Sequence, residues 1–140
     1  MRTGRRFAAL AAALVMAALA SACGDNNPAA TVSPSPTDNP TTTETFTGTL
    51  LPLSSTWHPF TATAAGSMTL TLTALDPAVV VGMGVGTTPT SGCGVQVWNN
   101  GSTTATVVTS PINPGLYCVT IYDVGNVTGS VAYTLTVTHP

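Results

Sequence analysis

From Glu44 to Thr138 apolar and polar residues alternate with a period of two. In SMTLTLTAL, Met68, Leu70, Leu72 and Ala74 fall on one face and Thr69, Thr71 and Thr73 on the other. In SVAYTLTVT, Val131, Tyr133, Leu135 and Val137 oppose Ala132, Thr134, Thr136 and Thr138. In GLYCVTIYD, Tyr117, Val119 and Ile121 alternate with Cys118, Thr120 and Tyr122. Such alternation predicts half-buried antiparallel strands. Threonine suits their wet faces, being β-branched with a hydroxyl that meets water. Turn residues punctuate the runs. Asn100-Gly101 suits a tight hairpin. Pro111, Asn113, Pro114 and Gly115 mark one loop, and Gly125-Asn126 with Gly129 mark another. About eight strands are predicted, near Thr45–Leu50, Trp57–Ala62, Ser67–Leu75, Ala78–Val85, Val95–Trp98, Thr103–Thr109, Leu116–Tyr122 and Ser130–Thr138. No helical stripe interrupts them. The expected fold is all-β, a two-sheet antiparallel β-sandwich of jelly-roll or Greek-key type. An outer-membrane barrel shares the alternation, but several of these strands are short for one.

The pattern changes upstream of Glu44. Residues 1–22 read as a basic start (MRTGRR), an apolar run (FAALAAALVMAALA) and small residues ending before Cys23. This is the order of a secretory signal peptide, and the apolar run is short for a membrane span. Ala20-Ser21-Ala22-Cys23 resembles a bacterial lipoprotein lipobox, with Ala20 where leucine is commonest. That resemblance implies that Cys23 takes a diacylglycerol thioether and anchors the mature chain to a membrane. Ordinary cleavage after Ala22, releasing a secreted protein, is the alternative. Residues 23–43 carry Pro28, Pro34, Pro36 and Pro40 and no aromatic residue. Such a segment cannot bury enough apolar surface to order itself, and it reads as a flexible Pro/Thr-rich tether behind the signal helix. The sandwich domain is expected over residues 44–140.

Charge narrows the function. Only 6% of the chain is charged, and Arg2, Arg5 and Arg6 are its only basic residues. A nucleic-acid partner needs cations along its phosphates, so none is expected. The same absence argues against docking on anionic lipid by charge. With Cys23 assigned to lipid, Cys93 and Cys118 remain, 25 residues apart in an exported domain. They are expected to form a disulfide, the alternative being two free thiols. No metal site is expected: no histidine neighbours either cysteine, no Cys-x-x-Cys occurs, and no acidic loop suits calcium. No cofactor is expected. His58 and His139 are the only imidazoles. No nucleophile elbow or zinc-protease helix motif accompanies them. Asp76 and Asp123 sit in turn contexts, where aspartate caps loops. No catalytic residue is assigned.

Aromatic residues are the candidates for ligand contact. In VQVWNNG, Val95 and Val97 share one face, Gln96 and Trp98 the other. If the valines face the core, Trp98 meets solvent beside Gln96, Asn99 and Asn100. An exposed tryptophan flanked by amides can stack on a sugar. The commoner fate of such a ring is cover by a neighbouring loop, or a place in the core if the register is reversed. Trp57 and Phe60 pose the same question, with Pro59 hiding their register.

One further resemblance runs through most of the domain. TFTGTL (Gly48, Leu50), AGSMTLTL (Ala65 to Leu72), PGLYCVTI (Gly115, Tyr117, Val119, Ile121) and YTLTV (Tyr133, Leu135, Val137) resemble the strands of the bacterial pre-peptidase C-terminal (PPC) domain. The chain departs from that family in DPAVVVGMGVG, where Asp76 is the only acid. The resemblance implies a non-catalytic β-sandwich of exported proteins that assists secretion, localisation or substrate binding. The expected function is a non-catalytic envelope lipoprotein that binds carbohydrate or protein, or serves as a scaffold. A small secreted hydrolase and a purely structural envelope protein are the alternatives.

Overall fold

The computed structural model describes residues 39–140. The signal segment, the lipobox with Cys23 and most of the tether lie outside the described residues. The strands are β1 (Thr42–Leu50), β2 (Ser55–Ala62), β3 (Gly66–Asp76), β4 (Val81–Thr87), β5 (Gly94–Ser102), β6 (Val107–Ile112), β7 (Gly115–Tyr122) and β8 (Val131–His139). They form two four-stranded antiparallel sheets. Sheet A runs β1-β8-β3-β6 and sheet B runs β2-β7-β4-β5. Thus β1 pairs with β8, β2 with β7, β3 with β6 and β4 with β5. That pairing is the rolled double Greek key of a jelly roll.

The inward faces meet in one core. Leu70, Leu72 and Leu135 of sheet A pack with Met83, Val119 and Ile121 of sheet B. Each of these is fully buried, worth about 1.5–3 kcal/mol per side chain on transfer from water. Tyr133 also points inward, and its hydroxyl lies 2.5 Å from where a Cβ on Gly48 would stand. Its register partner on β1 is therefore the residue with no side chain.

The register shifts at three places, one between β3 and β8 and two between β4 and β5, and two of these β-bulges change which of the expected strand residues face the core. In β3 the register to β8 shifts between Leu72 and Ala74. Thr73 is the extra residue, so Leu75 turns inward and Ala74 is exposed, the reverse of strict alternation. In β5 the register to β4 shifts where Val85 and Gly86 face Val97 and Val95. The bulge separates Val95 from Val97: Val97 packs against the core while Val95 is 38% exposed on the outer face.

The expected hairpin at Asn100-Gly101 does not form, because both residues belong to β5. Strands β5 and β6 lie in different sheets, so no two-residue turn can join them. The chain turns instead at Thr103–Thr106, closed by the Thr106 amide on the Thr103 carbonyl at 3.0 Å. Ala105 there has φ 72°. Pro111 is likewise a strand residue rather than a loop residue.

Edge strands carry the features that prevent further pairing. Pro59 lies on edge strand β2 and Pro111 on edge strand β6, positions that tolerate a missing N–H. Edge strand β1 carries Glu44, and edge strand β5 is irregular in its pairing. Charge, proline and bulges all blunt strand addition.

Candidate binding face

The outer face of sheet B brings both tryptophans of the chain into one row. Trp57 on β2 pairs with Thr120 on β7, Thr120 with Gly84 on β4, and Gly84 with Trp98 on β5. Inward-facing neighbours fix the direction: His58, Val119, Val85 and Val97 form the adjacent row, and Val119 and Val85 are core residues. Trp57 is 42% exposed and Trp98 59% exposed. Three strand spacings separate their backbones, about 14 Å.

Small residues between the rings make this arrangement. Strand β4 presents Gly82, Gly84 and Gly86 outward, and neighbouring groups close over each of them. The Tyr122 ring lies over Gly82. Val95 Cγ1, at 2.7 Å, and Trp98 Cβ, at 3.2 Å, crowd the place of a side chain on Gly84. The Gly94 carbonyl blocks any side chain on Gly86. Thr120 turns its hydroxyl down to donate to the Thr56 carbonyl at 3.0 Å. The floor therefore offers little polar chemistry, and the rings stand at its two ends.

The rows on either side border this lane. On one side Tyr122 donates its hydroxyl to Asn100 Oδ1. Burial pushes the Tyr122 phenol above its ordinary value of 10.0, so the donor persists at neutral pH. The exposed Asn100 amide keeps two N–H donors of its own. On the other side stands the Cys93–Cys118 disulfide, with a Cα–Cα distance of 5.7 Å. Cys118 pairs with Gly86, so the bridge passes over β4 and fastens the start of edge strand β5 to central strand β7. On the loop-entropy estimate this is worth about 3–4 kcal/mol.

The four residues proposed together around Trp98 separate. Trp98 and Asn100 lie on the outer face. Asn99 pairs with Met83, a core residue, and its Oδ1 accepts from the Gly101 amide at 2.8 Å. Gln96 is exposed within the bulge and outside the regular pairing. Trp57 joins Trp98 instead, and Phe60 points into the core, 4% exposed.

The titratable groups are engaged elsewhere. His58 Nε2 lies 2.9 Å from the Tyr133 hydroxyl, and its ring stacks on Phe46 at 4.8 Å. Burial lowers its pKa from 6.5. His139 places Nε2 2.9 Å from Glu44 Oε1 and Nδ1 3.1 Å from the Pro140 carbonyl, tilted against Phe60. Asp123 clamps two loops. Its Oδ2 accepts from the Leu53 amide at 2.9 Å, and its Oδ1 accepts from the amides of Gly125, Asn126 and Val127. The Leu53 bond leads the effects that hold its carboxyl below 3.8. Leu53 needs that tether, since it sits at φ 55°. Among the described residues no three His, Cys, Asp or Glu side chains group as metal ligands would. No protein-family model matches the chain, and no curated protein matches it.

Proposed function

We propose that this is an exported, non-catalytic binding module, a PPC-like sandwich tethered to the membrane through lipid on Cys23, whose outer sheet B face takes a neutral carbohydrate. One observation carries the ligand class: both tryptophans of the chain are exposed on one face and in one cross-strand row. Indoles stack on the apolar faces of sugar rings, and the amide of Asn100 can meet hydroxyls at the border. The face carries no charged side chain, which suits a neutral polyol. The engagement of both histidines in packing and hydrogen bonds supports a non-catalytic role over the hydrolase alternative. The disulfide supports an oxidising compartment.

The test is retention of the folded domain on insoluble cellulose, chitin and peptidoglycan. Retention on at least one, lost in the Trp57→Ala/Trp98→Ala double variant, is expected. Equal retention of both proteins would remove the aromatic face from the account. Mass spectrometry of the native N-terminus tests the anchor: a diacylated Cys23 is expected, and an unmodified mature start would make the protein secreted.

A further inference from the structure

We infer that the ligand is an extended chain of several sugars laid across the strands, engaged at two separate rings, rather than a single sugar held at Trp98. The inference rests on the carbohydrate reading above and specifies its geometry. A monosaccharide ring covers roughly one indole, but Trp57 and Trp98 belong to opposite edge strands, three strand spacings apart, about 14 Å. Only a ligand that crosses β7 and β4 reaches both.

The crossing is floored by small or apolar groups rather than by free polar side chains. Between the rings the row holds only Thr120 and Gly84. Thr120 is 5% exposed with its hydroxyl committed to the Thr56 carbonyl, and Gly84 has no side chain, so the half-exposed Val95 that lies over it forms the apolar floor between the tryptophans. Tyr122 with Asn100 and the Cys93–Cys118 bridge stand in the rows on either side, setting the direction of the lane across the sheet. The floor has no charge and little free hydrogen-bonding capacity. Stacking at the two ends must then carry recognition, as it does for other repeating chains read without base- or residue-specific contacts. The lane therefore selects for chain length and neutrality more than for the configuration of any one hydroxyl.

The charge pattern favours this occupant over a protein strand or anionic polymer. Residues 39–140 contain no lysine or arginine to meet acidic groups. The edges of sheet B are blunted by Pro59 and by the bulge of β5, so pairing with an added strand is disfavoured.

Calorimetric titration with cello-oligosaccharides and chitin oligosaccharides, from monomer to hexamer, tests the inference. Affinity should climb with length and level off once one molecule spans both rings. Trp57→Ala and Trp98→Ala should each lower hexamer affinity by about tenfold and flatten the length dependence, leaving residual one-ring binding. Trp57→Phe and Trp98→Phe should restore part of the climb, separating lost stacking from lost folding. If monomer and hexamer bind equally while Trp98→Ala abolishes both, a single-ring site replaces the two-ring lane and the carbohydrate reading survives. If no oligomer of either series binds, and none of the insoluble polysaccharides retains the domain, both readings fall together.

Discussion

On the outer face of sheet A, Thr43, Thr138, Thr69 and Thr109 lie in register across all four strands. On sheet B the corresponding row through the middle of the face reads Trp57, Thr120, Gly84, Trp98. Both faces come from the same alternation, and both back onto the same core. Sheet A gives its wet positions to threonine, and its hydroxyls bond one another, as Thr43 Oγ1 and Thr138 Oγ1 do at 3.0 Å. Such pairs stabilise a sheet modestly and leave it hydrated. In this row sheet B places small residues on its central strands and large rings on its edge strands. An outer position can thus serve solubility or recognition, and residue size across the row decides which.

The disulfide offers the largest test of this contrast, because it fastens only the sheet B face. Replacing both Cys93 and Cys118 by serine should lower unfolding stability by about 3–4 kcal/mol in denaturant titration. It should also weaken oligosaccharide binding, since β5 carries Trp98 and is held by β4 alone in its sheet. Undiminished affinity would separate the bridge from the platform.

Substitution of the small residues comes next. Gly82→Val would drive a side chain into the Tyr122 ring, and overpacking of this kind costs about 1–3 kcal/mol. Thr136→Val, on the outer face of sheet A, should stay within about 0.5 kcal/mol. Equal losses in the two variants would erase the distinction between the faces. Trp98→Ala should move stability little, within about 0.5 kcal/mol given its exposure, while lowering binding about tenfold. A large fall in melting temperature would recast Trp98 as a structural ring.

Acidification gives the smallest and most selective contrast. His58 has a folded pKa below its ordinary 6.5, so the unfolded chain binds its proton first and stability falls as pH drops below about 6.5. Asp123 adds a second loss as pH drops from about 3.8 through its lowered folded value. Neither group lies on the tryptophan row, so affinity should stay flat between about pH 5 and 8 while the protein remains folded. The His58 loss should vanish in His58→Gln, and the lower one in Asp123→Asn. A binding transition near neutrality would implicate a group outside this face.

The count of eight strands and the two-sheet sandwich were legible in the sequence because alternation is a local signal, although the sixth strand, expected over Thr103–Thr109, runs Val107–Ile112. The Cys93–Cys118 bridge was legible as the pair left once Cys23 is assigned to lipid in an exported chain. The bulges were not. Thr73 and Gln96 look like ordinary strand residues, and only pairing with β8 and β4 makes one residue in each region supernumerary. That is why Gln96 and Trp98 seemed to share a face in regular pairing. Trp57 was obscured by Pro59, which reads as a strand breaker until β2 is known to be an edge. The glycines of VGMGVG lie beneath Tyr122, Val95 and Trp98, neighbours brought over them only by strand pairing and invisible to any local pattern. The turn signal of Asp123 was readable, whereas its reach to Leu53 was not.

Because Trp57 and Trp98 are the only tryptophans in the chain, their two indole Nε1–H resonances report on the proposed face and on nothing else. Titration of the folded, ¹⁵N-labelled domain with chitin or cellulose hexamer, followed by ¹H–¹⁵N correlation spectra, is the most direct test. Both indole signals should shift together and saturate at one affinity, while the amides of Thr43, Thr69, Thr109 and Thr138 stay in place. Shifts centred on the threonine row, with both indoles unmoved, would contradict the account.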